Sequence, residues 1–210
     1  MSDTIYIKLR YRGRLRDAAT VQQLIHETED ICRTNSWPCH VWDEDWSKPA
    51  SITQACTGEA LEFMGHAPLK GLTFSIGASE TVWLTFQPDG TLQSLLTLAD
   101  PTFTADDVEF PWQRVKTGYD GAVTHLALCK LFRYLAGKYF EVFEVRDESG
   151  YWDHGDEARF TAWMGELIQS HQQLDDELAA VEADETLSPK QKKEAFYRLL
   201  NAFGEKFLSE

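Results

Sequence analysis

The chain has 210 residues, 43% hydrophobic and 12% aromatic, with a formal net charge of −14. That composition excludes a disordered chain, because enough apolar surface is present to offset the entropy of ordering it. The negative balance also argues against nucleic acid as the default partner, since phosphate neutralisation requires basic surface. No apolar run approaches the roughly 18 residues that span a bilayer, and the first residues lack a signal peptide's apolar core, so a soluble cytoplasmic protein is expected.

In IYIKLRYR, apolar Ile5, Ile7, Leu9 and Tyr11 alternate with Lys8, Arg10 and Arg12, the period of two that marks a half-buried strand. Asp17 then caps a helix whose inward positions are Val21, Leu24, Ile25, Thr28, Ile31 and Cys32. It stops by Asn35-Ser36, because Trp37 precedes a proline and is pushed away from helical angles. CHVWDEDW (39–46) reads as a second strand. Residues 47–68 read as loop with one short helix near 53–64. Alternation returns at Leu72, Phe74 and Ile76 and at Val82, Leu84 and Phe86, and Pro88-Asp89-Gly90 turns the chain into a further strand over 91–98. Together these form an antiparallel meander.

After Pro111, QRVKTGYDG leads into a helix with an apolar face of Val123, Leu126, Ala127, Leu131, Tyr134 and Leu135, and FEVFEVRDES follows as a strand. Helical spacing then runs over 156–181. Ser188-Pro189-Lys190-Gln191 is a capping box with proline at the first helical position, opening a last helix lined by Phe196, Leu199, Leu200, Phe203 and Phe207. The fold class is α+β: an antiparallel or mixed sheet with two helices packed on one face (1–152), and a C-terminal helical hairpin packed on it (153–210). YRG (11–13) and YDG (119–121) are each followed by a helix, a strand and an acidic turn. This suggests a β–α–β, meander, β–α–β pseudo-duplication with its two helices side by side.

DESGYWDHGDEARF (147–160) gathers five carboxylates and His154. Glu148-Ser149-Gly150 reads as a turn leaving a strand, and a helix start explains the acids after residue 150: Asp153 as the N-cap, with Asp156 and Glu157 beside the positive helix end. HExxH is absent, the other histidines are scattered at 26, 40, 66, 125 and 171, and no metal or cofactor is assigned. Cys32, Cys39, Cys56 and Cys129 include no CxxC and read as reduced thiols.

VKTGYDGAVTH (115–125) places two glycines before a helix start. Lys116, Thr117, Tyr119 and His125 there are candidates for holding an anionic small molecule. The same residues also read as a plain strand-to-helix turn with Asp120 as its cap. Neither a P-loop, nor GxGxxG, nor GxSxG occurs, so no catalytic signature supports an enzyme.

Arg10, Arg12 and Arg14 point away from the apolar set of the first strand, either as solvated edge charges or as a face for an acidic or phosphorylated partner. Residues 140–190 instead hold fourteen acids against three basic residues, so the acidic helices offer a surface for a basic protein partner. Their apolar stripe offers one for a homodimer. A non-catalytic binding or interaction protein is the favoured function. The alternative is an enzyme or ligand-binding domain acting on an anionic small molecule at the 115–125 loop.

Overall fold

A computed structural model of the chain describes residues 6–57, 60–99, 111–118 and 122–207. The fold is α+β and every strand pairing among the described residues is antiparallel. Two compact units divide between Asp147 and Glu148.

In the larger unit, β1 (Ile7–Leu15) lies between β7 (Gln113–Thr117) and β8 (Phe140–Asp147). The alternation in its sequence is realised: Ile7, Leu9, Tyr11 and Leu15 are buried, and the basic residues take the opposite face. A second sheet has the order β2 (Cys39–Asp43), β5 (Lys70–Phe74), β6 (Val82–Phe86). The sheets are linked by residues 91–93, where Leu92 N–H donates to the Gly13 carbonyl and Gln93 N–H to that of Thr85, at 2.9 and 2.8 Å. Tyr11 adds a second link. Its buried hydroxyl donates to the Trp83 carbonyl at 3.0 Å and accepts from the Trp83 N–H at 2.9 Å.

Two stretches depart from the sequence expectation. Residues 53–57 and 60–64 are not helical but form two antiparallel strands, β3 (Thr53–Thr57) and β4 (Ala60–Met64), in which Thr57 pairs with Ala60. Thr53 and Thr57 favour extended backbone, and Gly58 disfavours the helix interior. The expected strand over 91–98 shrinks to isolated bridges, and α2 (Leu95–Ala99) follows. Ser94 starts it, because its hydroxyl accepts from the Thr97 N–H at 3.3 Å, the hydrogen bond of an N-cap.

α1 (Val21–Thr34) buries Val21, Leu24, Ile25, Thr28 and Cys32. It ends where Ser36 takes a positive φ of 57° and the Trp37 N–H reaches back to the Cys32 carbonyl at 2.8 Å, a Schellman-type closure. α3 (Ala122–Tyr139) buries a face rotated from the one its apolar residues suggest: Leu131 and Leu135 are buried as expected, but Thr124, His125, Leu128, Cys129 and Phe132 join them, while Val123 is 75% exposed. The inward stripe includes two residues, Thr124 and His125, that a hydrophobic count discounts.

Glu27 of α1 accepts hydrogen bonds from Lys138 and Tyr139 at the end of α3. The two β–α–β passages are wired differently. β7 and β8 flank β1 in one sheet, whereas β1 and β2 belong to different sheets.

The second unit contains α4 (Tyr151–His154), α5 (Glu157–Ala183) and α6 (Pro189–Phe207). Of the acids after residue 150, Asp156 and Glu157 stand at the start of α5, with one change of cap. Asp156, not Asp153, accepts from the N–H groups of Ala158 and Arg159, at 2.9 and 3.0 Å. Gly150 and Gly155 bound α4 and place Asp153 inside it. His154 Nδ1 accepts from the Asp156 N–H at 2.9 Å, so the imidazole is part of the turn. Ser188 and Gln191 form the expected box, the Gln191 side-chain oxygen accepting from the Ser188 N–H at 2.9 Å. α5 and α6 pack together, with His171 edge-on to Phe203. No described helix is long and apolar enough to cross a membrane.

Candidate functional site: a cationic sheet face

The register of the β7-β1-β8 sheet decides what its outer face carries. Lys8 stands opposite Lys116, and Arg10 stands between Arg114 on one side and Arg146 on the other. Arg10, Arg114 and Arg146 are exposed. Like charges directly opposite each other destabilise a sheet, so this row works against the fold that carries it.

The row has an aromatic support. Arg12 and Arg146 lie over the Trp112 ring at 4.4 and 4.7 Å from its centroid, and Lys116 Nζ lies 4.1 Å from the centre of the Tyr6 ring. Cations over a ring face are attracted by its electron density, which offsets part of their mutual repulsion. Beside Trp112, a cleft of about 240 Å³ is lined by Glu80, Trp83, Trp112 and Arg114, among others.

Of the residues singled out in the sequence, Arg12 and Arg14 pair with Glu144 and Glu141 at 2.6 and 3.0 Å, whereas Arg10 joins the cross-strand row. Lys116 belongs to the same face. Its backbone N–H also donates to the Glu80 carboxylate at 2.9 Å. Tyr119 lies outside the described residues. Thr117 and His125 turn inward and are fully buried, with the Thr117 hydroxyl 2.8 Å from His125 Nδ1.

His125 Nε2 faces Asp147 Oδ2 at 3.2 Å and Cys129 Sγ at 3.5 Å. A Cys-His-Asp nucleophile needs its cysteine on one ring nitrogen and its carboxylate on the other, but here both share Nε2. Burial pushes the Cys129 thiol up, and the nearby Asp147 charge adds to that. A protonated, enclosed thiol is not a nucleophile.

A third polar cluster sits in the open groove between α1 and α3. The Glu27 carboxylate accepts from Lys138 Nζ at 2.7 Å, from Tyr139 at 2.5 Å and from Tyr134. Desolvation pushes the carboxyl up, but these hydrogen bonds and the Lys138 charge outweigh it and bring it from 4.5 to about 2. A folded value below the unfolded one stabilises the protein above pH 4.5, and that stability is lost as pH falls through about 2. Wild type should therefore lose roughly 1–2 kcal/mol more than Glu27→Gln between about pH 6 and about pH 2, after allowance for solvent screening. Urea midpoints measured across that range check it, and parallel losses would remove Glu27 as the cause.

No family model matches the chain, and neither a curated protein nor a solved structure is significantly similar to it.

The sequence singled out the β1 half of the cationic face but missed Arg114, Arg146 and Trp112. The signal was present. Arg114 and Lys116 alternate with Gln113, Val115 and Thr117 in QRVKT, the same period of two as β1. His125 and Cys129 are four residues apart, about one helical turn, a spacing that places them on one face of α3.

Proposed function

We propose that the chain is a non-catalytic binding protein whose working surface is the outer face of β7-β1-β8, and that it takes an acidic or phosphorylated protein segment there. The observation that carries this is the Arg114-Arg10-Arg146 row. Setting three guanidinium groups across adjacent strands brings like charges together at a cost to the sheet. An anionic partner turns the same repulsion into affinity, because carboxylates and phosphates accept the paired N–H donors of arginine.

Two features favour a protein segment over nucleic acid. Both Trp112 contacts within the face are with guanidinium groups, which leaves less ring surface for base stacking. The chain's net charge of −14 also repels a long polyphosphate while a short acidic segment can meet the cationic face locally.

Titration calorimetry with a glutamate-rich peptide and its phosphoserine counterpart tests the proposal. Arg10→Glu with Arg146→Glu should weaken binding by about a hundredfold and leave the circular dichroism spectrum unchanged. Added salt should weaken the wild-type complex. Equal affinity in the variant, or tighter binding of a single-stranded oligonucleotide than of either peptide, overturns it.

A further inference from the structure

We infer that His125, Cys129 and Asp147 form a binding site for one divalent transition metal of the zinc type, enclosed behind the cationic sheet. The three donor atoms all lie within 4.8 Å of one another. His125 and Cys129 are fully buried, and the Asp147 side chain has no exposed surface. They come from two elements, the imidazole and thiol from successive turns of α3 and the carboxylate from the end of β8.

The two separations from His125 Nε2 fit a common ion. For tetrahedral zinc with bonds of about 2.0 Å to nitrogen and oxygen and about 2.3 Å to sulfur, the nitrogen–oxygen edge is about 3.3 Å and the nitrogen–sulfur edge about 3.5 Å. The corresponding distances are 3.2 and 3.5 Å. Imidazole, thiolate and carboxylate together select zinc or a close neighbour over magnesium or calcium, which prefer oxygen alone.

The surroundings orient the imidazole for this role. Thr117 Oγ1 lies 2.8 Å from Nδ1 and 3.4 Å from the Ile7 carbonyl. When the hydroxyl donates to that carbonyl it accepts from Nδ1–H, which turns the Nε2 lone pair toward Cys129 and Asp147. Such a hydrogen bond on the far ring nitrogen is the usual companion of a metal-bound histidine. A lone pair and a carboxylate facing each other at 3.2 Å repel unless a proton or a cation lies between them, and a divalent ion removes that repulsion. On binding, the metal–sulfur bond replaces the S–H bond and the proton leaves to solvent.

Because the donors are enclosed, the metal is expected to load as the chain folds. The test is refolding of the full chain from denaturant, after chelation, in the presence of Co²⁺. One Co²⁺ per chain should be retained, with an intense thiolate-to-cobalt charge-transfer band in the near ultraviolet that Zn²⁺ abolishes. Cys129→Ser should lose the band, and Cys39→Ser, at an exposed thiol, should keep it. Refolded wild type without the band overturns the site irrespective of any variant. So does a band that survives in Cys129→Ser, or cobalt held with no thiolate transition, which would reflect surface histidines alone.

Discussion

Gly71→Ala is expected to destabilise the larger unit by about 4 kcal/mol or more, enough to abolish folding in a marginally stable protein. Gly71 is on β5, the central strand of its sheet, and pairs with Trp42 on one side and Thr85 on the other. Its φ is +148°, a region that L side chains rarely adopt, and a Cβ there would stand 2.1 Å from the Leu84 carbonyl oxygen and 2.6 Å from the Thr85 Cα. Both obstacles are backbone atoms of a paired strand and cannot rotate away. Strain and overlap therefore add. Gly137→Ala is the matched control, because it is inside α3 with no atom within 4 Å of the added methyl and should gain roughly 0.5–1 kcal/mol from helix propensity. Urea midpoints for the pair separate the two cases. A Gly71→Ala protein as stable as wild type would mean that β5 and β6 do not approach so closely.

The sequence disclosed those parts of the fold where one period dominates. β1 was legible because Ile7, Leu9 and Tyr11 alternate cleanly with Lys8, Arg10 and Arg12, and α6 because proline, capping box and apolar stripe agree. α3 was legible as a helix but not in its orientation. Its buried stripe runs through Thr124, His125 and Cys129, residues whose burial depends on partners from β7 and β8 that no local pattern announces. The β3 and β4 strand pair was hidden for the opposite reason: Leu61 and Phe63 suit either state, and strand pairing selects between them. The cationic row was half visible, since the Arg10 side could be read along one strand while its company with Arg114 and Arg146 is a matter of register. Asp147 looked like one more turn acid beside Glu148. Only the end of β8 places it against His125.

The second large effect separates scaffold from binding face. Phe132 is fully buried, 4.7 Å from Tyr11 and 5.4 Å from Phe143 between ring centroids, so it packs α3 onto the inner side of the strands that carry the cationic row. Phe132→Ala should cost about 3–5 kcal/mol, the transfer energy of the ring together with a cavity that the surrounding aromatic side chains only partly fill. Tyr11→Phe keeps the ring but leaves the Trp83 N–H and carbonyl without their shared hydroxyl, and should cost about 1–3 kcal/mol. Neither variant removes a charge from the outer face. At a temperature where each remains folded, both should bind the acidic peptide as wild type does, whereas Arg10→Glu should bind weakly and melt no lower than wild type, because it relieves the like-charge row. Equilibrium denaturation and peptide titration on the same three proteins make the comparison. If Phe132→Ala lost binding while folded, recognition would depend on the core under the sheet, and the outer register would not be its source.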